Sequence, residues 1–224
     1  TLGYWWRHRE KLTLAELSVI YLLLLLTYLT HIASYCLALL VISVLALTSS
    51  VSRLIRGARL EGKGLRLSLR DSLLPLLKFY GCMSPTYFIM LEYHLANSKN
   101  WKPWHQTSEW LREYFWGVKS LVYYTDWHVG VMRFFLGLLG VAGAATVVYR
   151  IARRRWLSEE DQFLLVAVIL TVMFFKAPWR LGPGGWINDR IHIYIFPLLS
   201  PWFRVEFHRV TKYIIAAGLI LLSL

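Results

Sequence analysis

Between Leu12 and Leu47 the chain carries a single charged side chain, Glu16. A helix needs about 20 apolar residues to cross a hydrocarbon layer, so this block is too long for one ordinary crossing. As one helix it would extend roughly 50 Å at about 1.5 Å per residue, against a hydrocarbon core of about 30 Å. Its only polar interruption is 29–34, around His31. The spacing therefore predicts a tight helical hairpin, with spans at 13–28 and 32–51.

The rest of the chain repeats the pattern of apolar runs and charged breaks. It is 57% hydrophobic, above the roughly 45–50% of a soluble domain. Further spans are expected at 72–91, 129–149 and 162–178. A short one at 191–203, with Pro197 and Pro201, either spans, starts earlier near Gly185, or re-enters. A last one begins near Tyr213. Of the 25 Lys and Arg residues, 16 fall in segments 1–13, 52–71, 150–162 and 204–212. Segments 29–31, 92–128 and 180–190 alternate with them and hold 6. Such asymmetry marks cytoplasmic loops. The net charge of +12 is thus read as topology, and nucleic acid is not expected as a partner. The expected fold is all-α: a polytopic helical membrane protein of about seven spans, 1–224 forming one transmembrane domain.

Within the long outer loop, 92–128, Trp110, Leu111, Tyr114, Phe115, Val118, Leu121 and Val122 recur at helical spacing. Glu109, Arg112, Glu113, Lys119 and Ser120 occupy the opposite face. A helix over 107–123, capped by Thr107 or Ser108, is expected to lie flat at the membrane surface. Gly137, Gly140, Gly143, Ala144 and Ala145 give the 129–149 span a small-residue face for close packing. Cys36 and Cys82 lie inside apolar runs and suggest neither a disulfide nor a metal site. Thr1 at the start and the apolar run 213–224 at the end read as a piece of a longer protein.

Ionisable groups collect at the outer ends of the expected spans. Arg133, Lys176, Arg180 and Arg190 make a candidate cationic site, since guanidinium groups suit bidentate contact with phosphate. The alternative is that each snorkels to headgroups or pairs with Asp126 or Asp189. Those two carboxylates are the candidates for a catalytic or acceptor-orienting role, though no motif selects either. The Asp126-Trp127-His128 spacing is compatible with a divalent metal, but two ligands without further partners assign no metal site. Gly182-Pro183-Gly184-Gly185 lacks the Lys-Ser/Thr of a P-loop and reads as a mobile outer cover. Glu16 and Lys78 sit near the inner ends of their spans.

Three stretches carry a resemblance: 26–31 (Leu-Thr-Tyr-Leu-Thr-His) opening into a further apolar helix; the basic loop followed by Leu73-Leu74-Pro75; and Trp186-Ile187-Asn188-Asp189-Arg190 before a Pro-containing helix. Together they resemble the poorly characterised prokaryotic members of the GT-C-type integral membrane glycosyltransferases. The resemblance implies a prokaryotic cytoplasmic-membrane location, membrane lipid as a neighbour, and a polyprenyl-phosphate-linked sugar donor used on the extracytoplasmic face. It carries over no catalytic residue. A secondary transporter or flippase, or a non-enzymatic membrane assembly subunit, are the competing readings. A transporter predicts charges near the bilayer midplane, and here they cluster near span ends.

Overall fold

A computed structural model describes residues 1–9, 12–59, 65–97, 102–119, 126–152, 159–181 and 185–204. The expected span from Tyr213, most of the expected glycine-rich cover (182–184) and the end of the expected amphipathic helix (120–123) lie outside them. The described residues are overwhelmingly helical. The chain divides into two compact units, Thr1–Trp101 and Lys102–Leu224.

The first unit contains α1 (Leu2–His8), α2 (Leu14–Thr30), α3 (Ile32–Arg59) and α4 (Leu65–Asn97). Thr13 starts α2 with a capping box: its hydroxyl accepts from the Glu16 amide and the Glu16 carboxylate accepts from the Thr13 amide. This gives Glu16 a structural task at the helix end. His31 breaks the apolar block, its backbone extended at φ −164° and ψ 107°. The start of α2 lies beside Leu77–Cys82 of α4, and the start of α3 lies beside Thr86 and Met90. α2 and α3 pack on each other and α1 touches both, as a reversal at His31 requires.

The core of this unit is built from stripes at helical spacing. Leu17, Ile20 and Leu24 come from α2, and Leu76, Phe79, Met83 and Thr86 from α4. α3 contributes Tyr35, Ile42 and Leu45. The Tyr35 hydroxyl donates to Thr86 Oγ1, which donates in turn to the Met83 carbonyl at 2.8 Å. A buried hydroxyl pair is thereby satisfied inside an apolar interface. Pro85 cannot donate to the Gly81 carbonyl one turn back; the Ser84 hydroxyl does so instead, at 2.7 Å. This lets α4 continue through the proline. Pro75 likewise lies inside α4, because the helix begins at Leu65, ahead of the expected 72.

The expected inner loop 52–71 is therefore mostly helix. Arg53, Arg56 and Arg59 belong to the end of α3, and Arg66 and Arg70 to the start of α4.

The second unit holds β1 (Pro103–Trp104), α5 (Ser108–Trp116), α6 (Asp126–Ala152), α7 (Asp161–Lys176), β2 (Arg180–Leu181) and α8 (Ile187–Arg204). α7 and α8 form its most extensive helix pair. Phe163, Val166, Leu170 and Phe174 face Ile191, Ile195, Leu198 and Trp202 as two buried stripes. α8 starts at Ile187, earlier than 191. β1 and β2 pair antiparallel, Pro103 opposite Leu181 and Trp104 opposite Arg180.

At the far end of this pair, Arg150 of α6 forms an ion pair with Asp161. The Trp202 indole donates to the same carboxylate at 3.0 Å. One carboxylate thus ties α6, α7 and α8 together. Arg150 is only 7% exposed, so this member of the expected cytoplasmic basic cluster is buried among helices.

Among the described residues, two helices are long and apolar enough to cross a membrane, Ile32–Ile55 and Trp127–Ala152, by length and composition. α2 is apolar but shorter. α7 has 16 residues, about 24 Å at the helical rise. Prolines, charges and length keep α4, α7 and α8 from meeting the same test, so about seven spans is not what helix length and composition support.

Candidate functional site

Residues 102–119, 176–181 and 185–192 come together at one end of the α7–α8 pair. Ala177 ends α7 in extended backbone, its amide bonded to the Met173 carbonyl at 2.7 Å. The Asn188 side-chain amide donates to the carbonyls of Phe174 and Ala177. These are carbonyls that a helix end leaves without partners. The first turn of α8 thereby caps the last turn of α7. The Ile187 amide adds a bond to the Trp179 carbonyl at 3.2 Å.

α5 docks on this junction. The Thr107 hydroxyl accepts from the Trp110 amide at 3.3 Å, which starts the helix. It stops at Trp116, short of the expected 123. The Lys119 amide bonds to the Tyr114 carbonyl and the Val118 amide to the Phe115 carbonyl, the paired bonds of a Schellman end. The left-handed position that usually takes glycine is Val118, at φ 48°. Gly117 stands one residue earlier, where a β-carbon would press to 3.0 Å on the Glu113 carbonyl.

The expected apolar face of α5 exists, and protein covers its centre. Leu111 and Val118 are buried. The Phe115 ring lies 5.3 Å from Phe174 and 4.9 Å from His192. His192 is fully buried, hydrogen-bonded to the Phe115 backbone.

Two different surfaces flank that docked stripe. On one side Trp110 stacks on Tyr114 at 4.6 Å, and both meet Trp179 edge-on. Trp179 in turn meets Trp186 at 5.6 Å. The Tyr114 hydroxyl hydrogen-bonds to Asp189. Burial pushes the Asp189 carboxyl above its ordinary value, and Tyr114 and the neighbouring Arg190 oppose that only in part. Asp189 Oδ1 is buried without a hydrogen-bond donor, as is Asn188 Oδ1. Trp186 is 60% exposed yet held at φ 65°, a strained backbone for a bulky residue.

On the other side is a cleft of about 430 Å3 lined by Ser108, Leu111, Arg112, Trp116, Phe175 and Lys176. Arg112 and Lys176 are exposed and make no ion pair among the described residues. Glu113 engages Lys119 at 2.7 Å, which holds the Glu113 carboxyl below its ordinary value.

The candidate residues distribute as follows. Lys176, Arg180, Asp189 and Arg190 all lie in the α7–α8 connection. Arg180 is exposed on β2, and Arg190 is half-buried in the first turn of α8. Arg133 is exposed on α6, close enough for its charge to be felt at Glu113. Asp126 is the first residue of α6; its side chain lies outside the described ones. No group of three or more His, Cys, Asp or Glu that could hold a metal occurs among the described residues.

Arg112 and Tyr114 were missed as site residues. The signal for Arg112 was its i+4 spacing from Ser108 and to Trp116, which puts a cation on an otherwise mixed stripe beside the apolar face.

No protein-family model, characterised protein or solved structure matches the chain.

Proposed function

We propose that the chain is a membrane-embedded, glycosyltransferase-like protein that takes a polyprenyl-phosphate-linked sugar at the extracytoplasmic face. The observation that carries this reading is the placement of Arg180, Asp189 and Arg190 at the junction of α7 and α8, with Lys176 as the last residue of α7. The Asn188 amide holds the two ends of that junction together. A lipid-linked sugar donor presents a phosphate, for which Arg180 and Arg190 supply counter-charge. Its acceptor needs a hydrogen-bond acceptor or base, for which Asp189 is the candidate. Burial raises the proton affinity of the Asp189 carboxyl above that of an exposed one, which favours a role in holding or moving a proton.

The membrane part of the reading draws on α3 and α6. Only 11% of the apolar window of α6 is buried, and Phe134, Val141, Val147, Val148 and Ile151 are exposed. An apolar surface of that extent asks for an apolar neighbour. Hydroxyls on the apolar helices return to their own backbone: Thr27 to Leu23, Thr48 to Val44, Thr146 to Ala142 and Thr171 to Ala167. That arrangement gives each of these four hydroxyl protons an acceptor without water.

The test is a binding and transfer assay in lipid nanodiscs with a panel of polyprenyl-phosphate-linked hexoses. The double variant Arg180→Gln/Arg190→Gln should lose about tenfold or more in donor binding. Asp189→Asn should keep donor binding and lose transfer. Unchanged donor binding in the double variant, or full transfer by Asp189→Asn, would overturn the reading.

A further inference from the structure

We infer that the groove between the start of α2 and the middle of α4 holds one acyl chain of a phospholipid with a net negative head, whose phosphate Lys78 engages. This rests on the membrane part of the function proposed above and on none of its transferase part. The groove lies in the first compact unit, and Arg180, Asp189 and Arg190 lie in the second.

The groove has a volume of about 560 Å3, within the range of small-molecule sites, roughly 300–1,000 Å3. Gly81 opens it: a β-carbon at that position would meet no neighbouring atom within 4 Å. Leu12, Leu14 and Leu17 line it from the start of α2, and Leu77 from α4. Leu17 is buried, whereas Leu14 is 80% and Leu77 67% exposed. The floor and the rim are therefore both apolar, and an acyl chain laid along Gly81 covers leucines that the protein leaves bare.

Among the described lining residues Lys78 alone is charged. It is exposed and makes no ion pair with another described residue. The Glu16 carboxylate is engaged by the Thr13 amide and hydroxyl, and it does not line the groove. A cation on an apolar helix face needs a partner or a route to the interface. Helical side chains lean toward the helix N-terminus, which for Lys78 is the direction of Arg70. Arg70 stands two turns back on the same face and is also exposed, roughly 12 Å along the axis. Beyond it lies the basic segment 52–71, and the basic segment 1–13 leads into α2 at the same groove. Both segments mark the cytoplasmic side by charge. The lipid head thus lies between Lys78 and Arg70, and its chain runs past Gly81 into the bilayer. Basic pockets between helices on that side select anionic heads.

The chemistry selects among ligands. A choline head carries its own cation and sets it against Lys78 and Arg70. Free phosphate leaves the leucines bare. A phospholipid with an anionic head and no cation uses both the charge and the groove.

The intact chain, purified in detergent, is titrated with dioleoylphosphatidylglycerol and separately with dioleoylphosphatidylcholine, and bound lipid is counted by native mass spectrometry. One phosphatidylglycerol should bind, at least about fivefold more tightly than phosphatidylcholine. Lys78→Gln should bring phosphatidylglycerol down to the level of phosphatidylcholine. Lys78→Arg should stay within about threefold of wild type, since the charge remains. Gly81→Leu should fill the groove and weaken phosphatidylglycerol by about tenfold with Lys78 intact. Leucine favours helix over glycine and meets open space there, so that loss is not a loss of fold. Gly137→Leu, at an open position on α6, should bind as wild type. Phosphatidylcholine bound as tightly as phosphatidylglycerol, or wild-type binding by Lys78→Gln or Gly81→Leu, would overturn the inference. Equal losses in Lys78→Gln and Lys78→Arg would do the same. Release of the wild type from membranes by an alkaline carbonate wash would overturn the membrane reading, and the groove with it. A wild type that resists the wash yet retains neither lipid would overturn the groove alone. Lipid binding as expected, with no binding of a sugar donor, would overturn only the transferase reading.

Discussion

The Tyr114 hydroxyl of α5 hydrogen-bonds to the Asp189 carboxylate in the first turn of α8. It is a polar link between docked α5 and the helix pair, beside the bond of His192 to the Phe115 backbone, and it leaves Asp189 Oδ1 buried without a donor.

Because burial dominates, the Asp189 carboxyl is held above its ordinary value of 3.8. A raised acid binds its proton more tightly folded than unfolded. Its contribution to stability is therefore fully present below the ordinary value and is lost as pH rises through the raised one. Asp189→Asn mimics the protonated form. Its melting temperature relative to wild type should rise across that window and level off above it. Melting curves in detergent over a pH series check this; a constant offset would show that Asp189 titrates normally.

Arg150 and Asp161 should behave as a buried pair. Asp161→Asn leaves the Arg150 guanidinium in a site that is 7% exposed and weakens the acceptor for Trp202. Breaking such a pair from one side costs about 3–5 kcal/mol. Trp202→Phe removes a single neutral-to-charged hydrogen bond and should cost about 1.5–3 kcal/mol. Denaturant unfolding of the two variants separates the predictions; equal small losses would mean the pair is solvated.

Much of the helical framework can be read from residue spacing. The apolar block, its break at His31 and the amphipathic face of α5 follow from local periodicity, and local periodicity formed them. What could not be read depends on contacts distant in sequence. Arg150 counts as a loop cation until α7 brings Asp161 to it. Arg112 and Lys176 are 64 positions apart, and only the docking of Phe115 on Phe174 makes them neighbours. The end of α5 was misplaced because its left-handed residue is Val118. A β-branched residue is the least expected choice there, and the glycine that would signal a stop is one position early. The basic segment 52–71 looked like a loop because charge marks the end of an apolar run. Charge is compatible with helix, however, and α3 continues through Arg53 and Arg56.

Thr107 caps the first turn of α5. Nine residues are too few for a helix to persist on its own, so cap and docking must act together. Thr107→Ala removes the acceptor for the Trp110 amide and should cost about 1 kcal/mol. Hydrogen exchange of the 108–116 amides should accelerate by about fivefold, and Thr107→Asp should restore protection. Unchanged exchange in the alanine variant would show that ring packing alone holds the helix.

The direction of α4 is the clearest test of the charge asymmetry. Its first residues adjoin the basic segment 52–71 and its last adjoin 92–128, which the positive-inside rule assigns to opposite sides. The helix has 33 residues, roughly 50 Å at the helical rise. That is more than a hydrocarbon core of about 30 Å, so both ends should reach water. Its prolines do not interrupt it, because the Ser84 hydroxyl takes over the Gly81 carbonyl that Pro85 abandons. Single cysteines replacing Lys63 and Asn97, in a background with Cys36 and Cys82 changed to Ala, should react with an impermeant maleimide from opposite faces of sealed vesicles. Lys63→Cys should react only after the cytoplasmic face is opened, and Asn97→Cys before it. Labelling of both from one face would mean that α4 lies along the surface, and that the arginines flanking it do not mark topology.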